Sequence, residues 1–241
     1  MKITNAINQK PQKQIHKPTI ILMSKWHAIN RCKSRLSREI GTVKASKIQE
    51  KLTNHTIAVA KQIQKDGLAE IKIAIGGIGN NAAKRWAKIN KIRNFDTQGS
   101  GNLGTRMKRQ FLKTYSENKT SPRFSKPIIL IGTDLPTISR FDLTQAIEII
   151  ERKEMVLGPS TDGGYWLIGL SSELLEPICL WPFCGINWGT DQVLNETIQL
   201  ASSNNIDYEL LQTKNDIDSL IDLSPWIDHK KFQVSVSSYQ L

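Results

Sequence analysis

The sequence has 241 residues, of which 39% are hydrophobic and 23% charged, and its formal net charge is +11. This length and composition are typical of a globular protein with one large domain and a substantial core. No apolar stretch approaches the roughly 20 residues that a membrane-spanning helix needs. The three cysteines form no CxxC pair, which argues against a disulfide framework and favours a reducing cytoplasm.

The first 17 residues are polar, with four lysines and no acid, and they lack the apolar core of a secretion signal. We therefore expect a disordered basic tail over residues 1–17, one domain over 18–230 and a C-terminal tail over 231–241. The positive charge is compatible with nucleic acid, an anionic membrane surface or a phosphorylated substrate. The sequence contains no zinc finger, RNP-type motif or basic zipper, so a nucleic-acid partner is not expected.

Apolar runs and amphipathic segments alternate along the chain. Short apolar runs between turn residues predict strands, and longer segments with helical spacing of apolar residues predict helices. The predicted strands are 19–24, 69–75, 92–95, 127–131, 155–157, 166–170 and 207–211. The predicted helices are 43–64, 81–89, 103–115, 139–152, 191–200 and one starting within 215–223, with Asp218 or Ser219 as its N-cap. This alternation predicts an α/β protein with a mainly parallel sheet and covering helices.

The segment after the first predicted strand is basic. It carries Lys25, Arg31, Lys33 and Arg35 within eleven residues. A loop in this position could hold a diphosphate, with the Arg35 guanidinium offering bidentate geometry. A surface turn that happens to be basic is the alternative.

The fourth predicted strand ends abruptly in Gly132, Thr133, Asp134, Leu135 and Pro136. In α/β sheets, ligands bind just beyond the carboxyl ends of the strands. A carboxylate there is a suitable hard-oxygen ligand for a magnesium ion that carries phosphates. Alternatively, Asp134 caps the next helix.

Two glycine-containing segments indicate close backbone approach or sharp bends. Residues 98–107 read QGSGNLGTRM, which is not a dinucleotide-binding fingerprint because no buried strand closely precedes it. Asn102 is a predicted cap of the helix that follows, as Thr190 is for a later helix. Asp162, Gly163 and Gly164 form either a plain hairpin turn or the floor of a sugar or acceptor pocket.

Charged side chains follow three of the predicted strands. Lys25, Lys33 and Arg35 follow the first strand, Asp134 the fourth and Asp218 the last. Cations for a diphosphate and two acids for a metal ion are what a nucleotide-diphosphate site requires.

With these residues in place, the sequence resembles the nucleotide-diphospho-sugar transferase superfamily. Within it, the sequence is most similar to the bacterial glycosyltransferase-like family DUF2064, some members of which are labelled arsenosugar-biosynthesis glycosyltransferases. The resemblance extends over residues 24–223. It is carried by Lys25 and by residues 33–36, 98–107, 132–136, 158–165, 167–170, 188–191 and 216–218.

The resemblance implies a single-domain, GT-A type Rossmann-like fold with a mixed, mainly parallel sheet and helices on both faces. It implies that Asp134 and Asp218 hold Mg²⁺ or Mn²⁺ and that Asp162 has an acceptor-side role, as a base. The nucleotide would be bound by residues of the first loop and the glycine loop: Lys25, Lys33, Arg35, Gly99, Gly101, Asn102, Gly104 and Arg106. One departure is that Ile29 and Asn30 stand where the family usually has Pro-Gly, although Asn tolerates the left-handed conformation that such a turn needs.

Three functions follow as hypotheses. The first is a metal-dependent glycosyltransferase that uses a nucleotide-sugar donor and an unidentified small-molecule acceptor. The second is a guanylyltransferase-like nucleotidyltransferase that joins a nucleoside triphosphate to a phosphorylated acceptor, with Lys33 or Arg35 stabilising the attacked phosphate. The third is a non-catalytic nucleotide- or nucleic-acid-binding protein on the same scaffold, because fold alone does not decide the chemistry.

Overall fold

Seven strands and seven helices alternate in the computed structural model, which describes residues 17–118, 126–175 and 183–227. The strands are β1 (Thr19–Lys25), β2 (Glu70–Gly76), β3 (Asn94–Thr97), β4 (Ile128–Gly132), β5 (Met155–Pro159), β6 (Tyr165–Leu170) and β7 (Tyr208–Leu210). The helices are α1 (Ser34–Ile40), α2 (Thr42–Lys65), α3 (Asn80–Ile89), α4 (Leu103–Asn118), α5 (Arg140–Ile150), α6 (Val193–Ser203) and α7 (Leu220–Ile227). Except for Lys17, the predicted tails lie outside the described residues, and so do residues 119–125 and 176–182.

The strands form one sheet in the order β3-β2-β1-β4-β6-β5-β7. Strand β6 is antiparallel to both of its neighbours, and the other described pairings are parallel. At the centre, Leu22 of β1 is in register with Ile73 of β2 and Ile131 of β4. These three side chains have no exposed surface, as expected for parallel strands covered on both faces. The predicted mixed, mainly parallel sheet is therefore confirmed.

Alternate side chains of each strand enter two separate cores. On one face, Ile20, Leu22, Ile73 and Ile131 pack with apolar residues of α2, α3 and α5. On the other face, residues such as Ile21, Met23 and Leu130 pack with Met107 and Phe111 of α4 and Ala201 of α6. Successive side chains of a strand point to opposite faces of the sheet. Because both faces are apolar here, helices cover each of them.

The topology brings the carboxyl ends of β1, β4, β5 and β7 to one edge of the sheet. Strand β5 has the direction of β4 because each is antiparallel to β6, and β7 is parallel to β5. The segments after these strands contain the first basic loop, Asp134, Asp162 and Asp218. Residues far apart in sequence are thus placed along a single edge.

Every predicted strand and helix is present, but helix α1 was not predicted. Residues 33–36 were interpreted as loop, whereas a helix begins at Ser34 and ends after two turns. Its only buried residue is Leu36, which packs with Leu52 of α2 and with Ile217 and Leu223 near the chain's end. A seven-residue helix with one buried apolar side chain is too short to show the helical spacing of apolar residues that identifies a helix in a sequence.

The predicted caps have different outcomes. Asn102 does cap α4, because its Oδ1 accepts the Thr105 amide at 2.8 Å. The prediction for Thr190 is wrong: α6 begins after Gln192, which makes no side-chain capping bond. Thr190 instead donates its hydroxyl to the Asn187 carbonyl at 2.8 Å within the preceding turn. Thr190 lies two residues before the observed N-cap, Gln192. A threonine hydroxyl can form a hydrogen bond within a turn as readily as at a helix end.

Among the described helices, none combines the length and apolar character needed to cross a bilayer.

Candidate functional site

A cavity of about 620 Å³ lies at the carboxyl edge of the sheet. Its walls come from β1, α4, β4, the turn between β5 and β6, the segment before α6 and the segment before α7. Six of the predicted site residues line it: Lys25, Arg35, Arg106, Asp134, Asp162 and Asp218. A smaller cavity of about 300 Å³ adds Lys33 and Gln49 to Lys25, Arg35, Asp134 and Asp218.

Lys33 lies between the two acids that were predicted to hold a metal. Its Nζ is 3.3 Å from Asp134 Oδ1 and 3.1 Å from Asp218 Oδ1, and the side chain is only 2% exposed. Burial by itself lowers the pKa of the Lys33 ammonium, but the two carboxylates outweigh it and raise the pKa above the usual lysine value. The ammonium that was predicted to bind a diphosphate is therefore paired with the two acids in this conformation.

The Lys33 backbone is left-handed, with φ of 49°, directly before α1. Three residues earlier, Asn30 is also left-handed, with φ of 64°. The expectation that Asn30 would accept this conformation in place of the family's Pro-Gly is confirmed. The turn is closed by the Arg31 amide, which donates to the Ala28 carbonyl at 3.0 Å.

Gln49 of α2 contacts the site, although nothing in the sequence analysis singled it out. Its Nε2 donates to Asp134 Oδ1 at 2.7 Å, and the residue is 2% exposed. The signal available in the sequence was a polar residue three positions before Leu52 on the apolar face of a predicted helix. Such a residue must find a partner inside the protein, but the sequence does not say which one.

The segment before α7 adds a further acid, Asp216. It lines the large cavity with Asp162 and Asp218, and its Oδ1 accepts the Ser160 hydroxyl at 3.4 Å. Burial, then the charges of Asp218 and Asp162, raise the pKa of Asp216 to about 6. The Ile217 amide donates to the Asp134 carbonyl at 3.2 Å, so this segment is attached directly to the end of β4.

Asp222 organises the start of α7. Its Oδ2 accepts the amides of Asp218 and Ser219 at 3.0 and 2.7 Å and the Ser219 hydroxyl at 2.7 Å. Burial raises the pKa of Asp222, but these donors outweigh it and lower the pKa below the usual aspartate value. The carboxylate thereby fixes the backbone of Asp218, one of the two predicted metal ligands.

The glycine loop bends sharply and is held from beneath by Arg109. Its guanidinium donates to the carbonyls of Gln98 and, at 2.9 Å, Ser100. Gly99 and Gly101 have φ of 72° and 111°, which only glycine adopts readily. These glycines do not line the large cavity, whereas Arg106 does. Their contact with a nucleotide stays a prediction. Their positive φ angles alone explain why both positions are glycine.

Gly104 has a different reason to be glycine. A Cβ there would overlap the indole of Trp188, so the absence of a side chain lets Trp188 pack on the first turn of α4. Arg106, two residues further on, receives a fixed position because its Nη1 donates to Gln98 Oε1 at 3.0 Å. Gln98 is itself held by the carbonyls of Ser24 and Ala74 at 2.9 and 3.1 Å.

The Asp162 turn is a hairpin turn that also borders the large cavity, and its role in a sugar or acceptor pocket stays a prediction. It joins antiparallel β5 and β6 as a hairpin, with the Gly164 amide donating to Asp162 Oδ1 at 3.0 Å. Asp162 and Gly164 also line the large cavity. Gly163, with φ of 83°, lies so close to the Asp191 backbone that a Cβ would overlap it.

The donor set suits a divalent cation in part. Asp134 and Asp218 already direct carboxylate oxygens at one positive group, and carboxylate oxygens are the ligands that Mg²⁺ and Mn²⁺ prefer. No cluster of three or more His, Cys, Asp or Glu side chains arranged for a metal is found in the described ranges. Mg²⁺ is nevertheless often bound by only one or two protein carboxylates, and water molecules and substrate phosphates complete its coordination.

Comparisons with known proteins agree with this architecture. The sequence model of DUF2064, described as an uncharacterised protein conserved in bacteria, matches residues 58–190. No curated protein matches the chain significantly.

Three solved structures illustrate the likeness in fold. A candidate nucleotide-diphospho-sugar transferase from Desulfovibrio desulfuricans G20 has a TM-score of 0.77 and 20% identity over 93% of this chain and 96% of that chain. Rv0371c from Mycobacterium tuberculosis H37Rv, in complex with manganese, has a TM-score of 0.50 and 15% identity over 89% and 100%. CMP:2-keto-3-deoxy-manno-octonic acid synthetase in complex with CTP has a TM-score of 0.53 and 10% identity over 92% and 100%. The expected nucleotide-diphospho-sugar transferase fold is thereby confirmed.

Proposed function

We propose that this chain, which belongs to the bacterial DUF2064 family because that family's sequence model matches more than half of it, is a metal-dependent glycosyltransferase-like enzyme. Its donor would be a nucleotide-diphosphate sugar and its acceptor a small molecule. The similar folds include a candidate nucleotide-diphospho-sugar transferase and a synthetase that binds CTP. Both support a transferase that acts on a nucleotide substrate.

One observation carries the proposal: Asp134 and Asp218 meet at a single cation position beside a large cavity. Both carboxylates lie within 3.3 Å of the Lys33 ammonium, and each is nearly half exposed towards solvent. Lys25 and Arg35 line the same cavity. Acids for a metal and cations for phosphates are thus adjacent, which is the combination that a nucleotide diphosphate requires.

In the proposed reaction, Asp134 and Asp218 would hold Mg²⁺ or Mn²⁺ at the position that the Lys33 ammonium now occupies, and Lys25, Arg35 and the displaced Lys33 ammonium would bind the diphosphate. When bound, the divalent ion would offset the charge that develops on the departing nucleotide diphosphate. Asp162, which lines the same cavity, accepts the proton of the acceptor hydroxyl as that oxygen attacks the sugar. Arg106, which lines the cavity, would contact the nucleotide, and Gly99, Gly101, Asn102 and Gly104 would shape the loop and helix start that carry it.

Nucleotidyl transfer is the second candidate, favoured by the similar fold of the synthetase in complex with CTP. The same cations would then stabilise the attacked α-phosphate, and diphosphate would leave instead of a nucleotide diphosphate. The two reactions differ in their donor, so ligand binding separates them.

The test is calorimetric titration of the protein with nucleotide-sugars and with nucleoside triphosphates, each with and without Mn²⁺. Saturable, Mn²⁺-dependent binding of a nucleotide-sugar is the expected result, and binding of triphosphates alone would favour nucleotidyl transfer. Asp134→Asn should abolish the Mn²⁺ dependence, because it removes the charge of one ligand. The matched control is Asp66→Asn, whose carboxylate pairs with Arg140 at 2.7 Å on an exposed surface. Unchanged Mn²⁺ affinity in Asp134→Asn would refute the site.

A further inference from the structure

Helix α2 buries an unusual row of polar side chains. Ser46, Gln49, Thr53 and Thr56 recur at helical spacing, and each is at most 9% exposed. They lie on the face that also buries Ala45, Leu52 and Ile57. Polar groups are costly to bury unless they are hydrogen-bonded, so their partners indicate why this row is polar.

The first three residues of the row contact the strand ends that bear the site. Ser46 donates to the His27 carbonyl at 2.6 Å, after β1. Thr53 Oγ1 lies 3.3 Å from Ser24 Oγ and 3.4 Å from Thr133 Oγ1, at the ends of β1 and β4. Gln49 reaches the Asp134 carboxylate itself. By contrast, Thr56 donates only to the Leu52 carbonyl of its own helix, at 3.1 Å.

We propose that Gln49 is a positioning residue for the metal-binding carboxylate of Asp134. This inference rests on the proposed function. The Gln49 amide acts on the same oxygen, Asp134 Oδ1, that also pairs with Lys33. Gln49 lies within helix α2 and is 2% exposed, so packing fixes the place of its donor. The half-exposed carboxylate of Asp134 is thereby held in one orientation, whichever cation it faces.

The physical basis is the general behaviour of groups that hydrogen-bond to metal ligands. Such groups restrict the ligand's rotation before the metal arrives, and removing one typically weakens metal affinity about 10–100-fold. A neutral amide suits this place, because it can donate to a carboxylate without adding a charge that competes with the metal. Gln49 also lies outside residues 58–190 that the family model matches, so the structure alone assigns this role.

The experiment measures Mn²⁺ affinity of the full chain by electron paramagnetic resonance of free Mn²⁺, together with the melting temperature of the metal-free protein. Gln49→Met keeps a similar volume but removes the donor, and we expect about tenfold or greater loss of Mn²⁺ affinity. Gln49→Asn keeps an amide that is too short to reach Asp134, and the same loss is expected. It serves as the second variant if Gln49→Met fails to fold.

Thr56→Val is the matched control, because it removes a buried hydroxyl of the same row whose hydrogen bond is to its own helix, at the Leu52 carbonyl. It should leave Mn²⁺ affinity unchanged even if its melting temperature falls. A purely structural Gln49 would behave like Thr56, with lower melting temperature and unchanged Mn²⁺ affinity, and this result would overturn the inference. If the unaltered protein binds no Mn²⁺, or Asp134→Asn binds it as tightly, the proposed metal site itself fails and the inference falls with it.

Discussion

At the scale of single residues, the main feature of the site is the buried Lys33, which forms ion pairs with both Asp134 and Asp218. The Lys33 side chain is 2% exposed, whereas those of Asp134 and Asp218 are 43% and 47% exposed. The ammonium occupies the position that a divalent cation would share with both carboxylates. In the proposed metal site, Lys33 would therefore stabilise the two acids when no metal is bound and compete with the metal for the same oxygens.

We expect Lys33→Met to lower the stability of the metal-free protein and to increase the rise in Tm that Mn²⁺ causes. Removing one partner of a buried ion pair is destabilising, but the acids are half exposed, so the cost is reduced to about 1–3 kcal/mol. For a chain of this size, that corresponds to a fall in Tm on the order of 5 °C. Thermal unfolding with and without Mn²⁺ measures both effects. A smaller Mn²⁺-dependent rise in Tm than in the unaltered protein would contradict the competition.

At the scale of elements, the segment between β7 and α7 holds acids of the site without being a helix or strand. Lys214 attaches it to β5: its amide donates to the Pro159 carbonyl at 3.0 Å, and its carbonyl accepts the Thr161 amide at 3.1 Å. The Lys214 Nζ pairs with Asp142 at 3.0 Å, and both side chains are at least 90% buried. Asp142 in turn forms the capping box of α5 with Ser139. The segment is thus anchored to a helix end.

Lys214→Met should destabilise the fold strongly. It leaves the Asp142 carboxylate buried without its cation, which typically costs about 3–5 kcal/mol. The free energy of unfolding in urea measures this loss. Lys153→Met is the control, because the Lys153 ion pair with Asp207 at 2.8 Å has side chains 30% and 58% exposed and should contribute at most about 1 kcal/mol. Similar, small losses in both variants would show that the Lys214 pair does not anchor the segment.

At the scale of the whole molecule, the site joins the two ends of the folded chain. The Lys33 and Asp218 partners are 185 positions apart, and the sheet between them carries both cores. The net charge of +11 is also a property of the whole molecule, and it bears on the third hypothesis, a nucleic-acid-binding protein. Charge of this kind attracts polyanions through counterion release and without reading their sequence.

We therefore expect the protein to bind a single-stranded oligonucleotide weakly, with a Kd of about 10⁻⁴–10⁻⁶ M at physiological salt and a steep decrease as salt rises. Asp134→Asn should not weaken this binding, because the interaction arises from distributed cations. Fluorescence anisotropy over a salt series measures it. Tight binding that resists salt would instead support the non-catalytic, nucleic-acid-binding hypothesis.

The fold was largely predictable because its signals are local. Apolar runs at β1 and β4 end in turn residues, and the long apolar face of α2 has a clear helical period. Helix α1 was missed because its single buried residue, Leu36, packs against Leu52 and residues near the chain's end. Its stability comes from contacts that are distant in sequence, and these leave no periodic pattern.

By itself, the sequence determined which residues stand at strand ends. Strand positions are encoded in apolar runs and parallel direction in their alternation with helices, so Asp134 and Asp218 could be assigned with the first basic loop to one edge of a mainly parallel sheet. Only the tertiary structure decided what these residues contact: Lys33 between two acids, Gln49 on Asp134, and Ser160 on Asp216. The physical reason is that hydrogen bonds and ion pairs depend on distances of a few ångströms. Those distances are set by how helices pack across the sheet, and no local pattern in the chain records them.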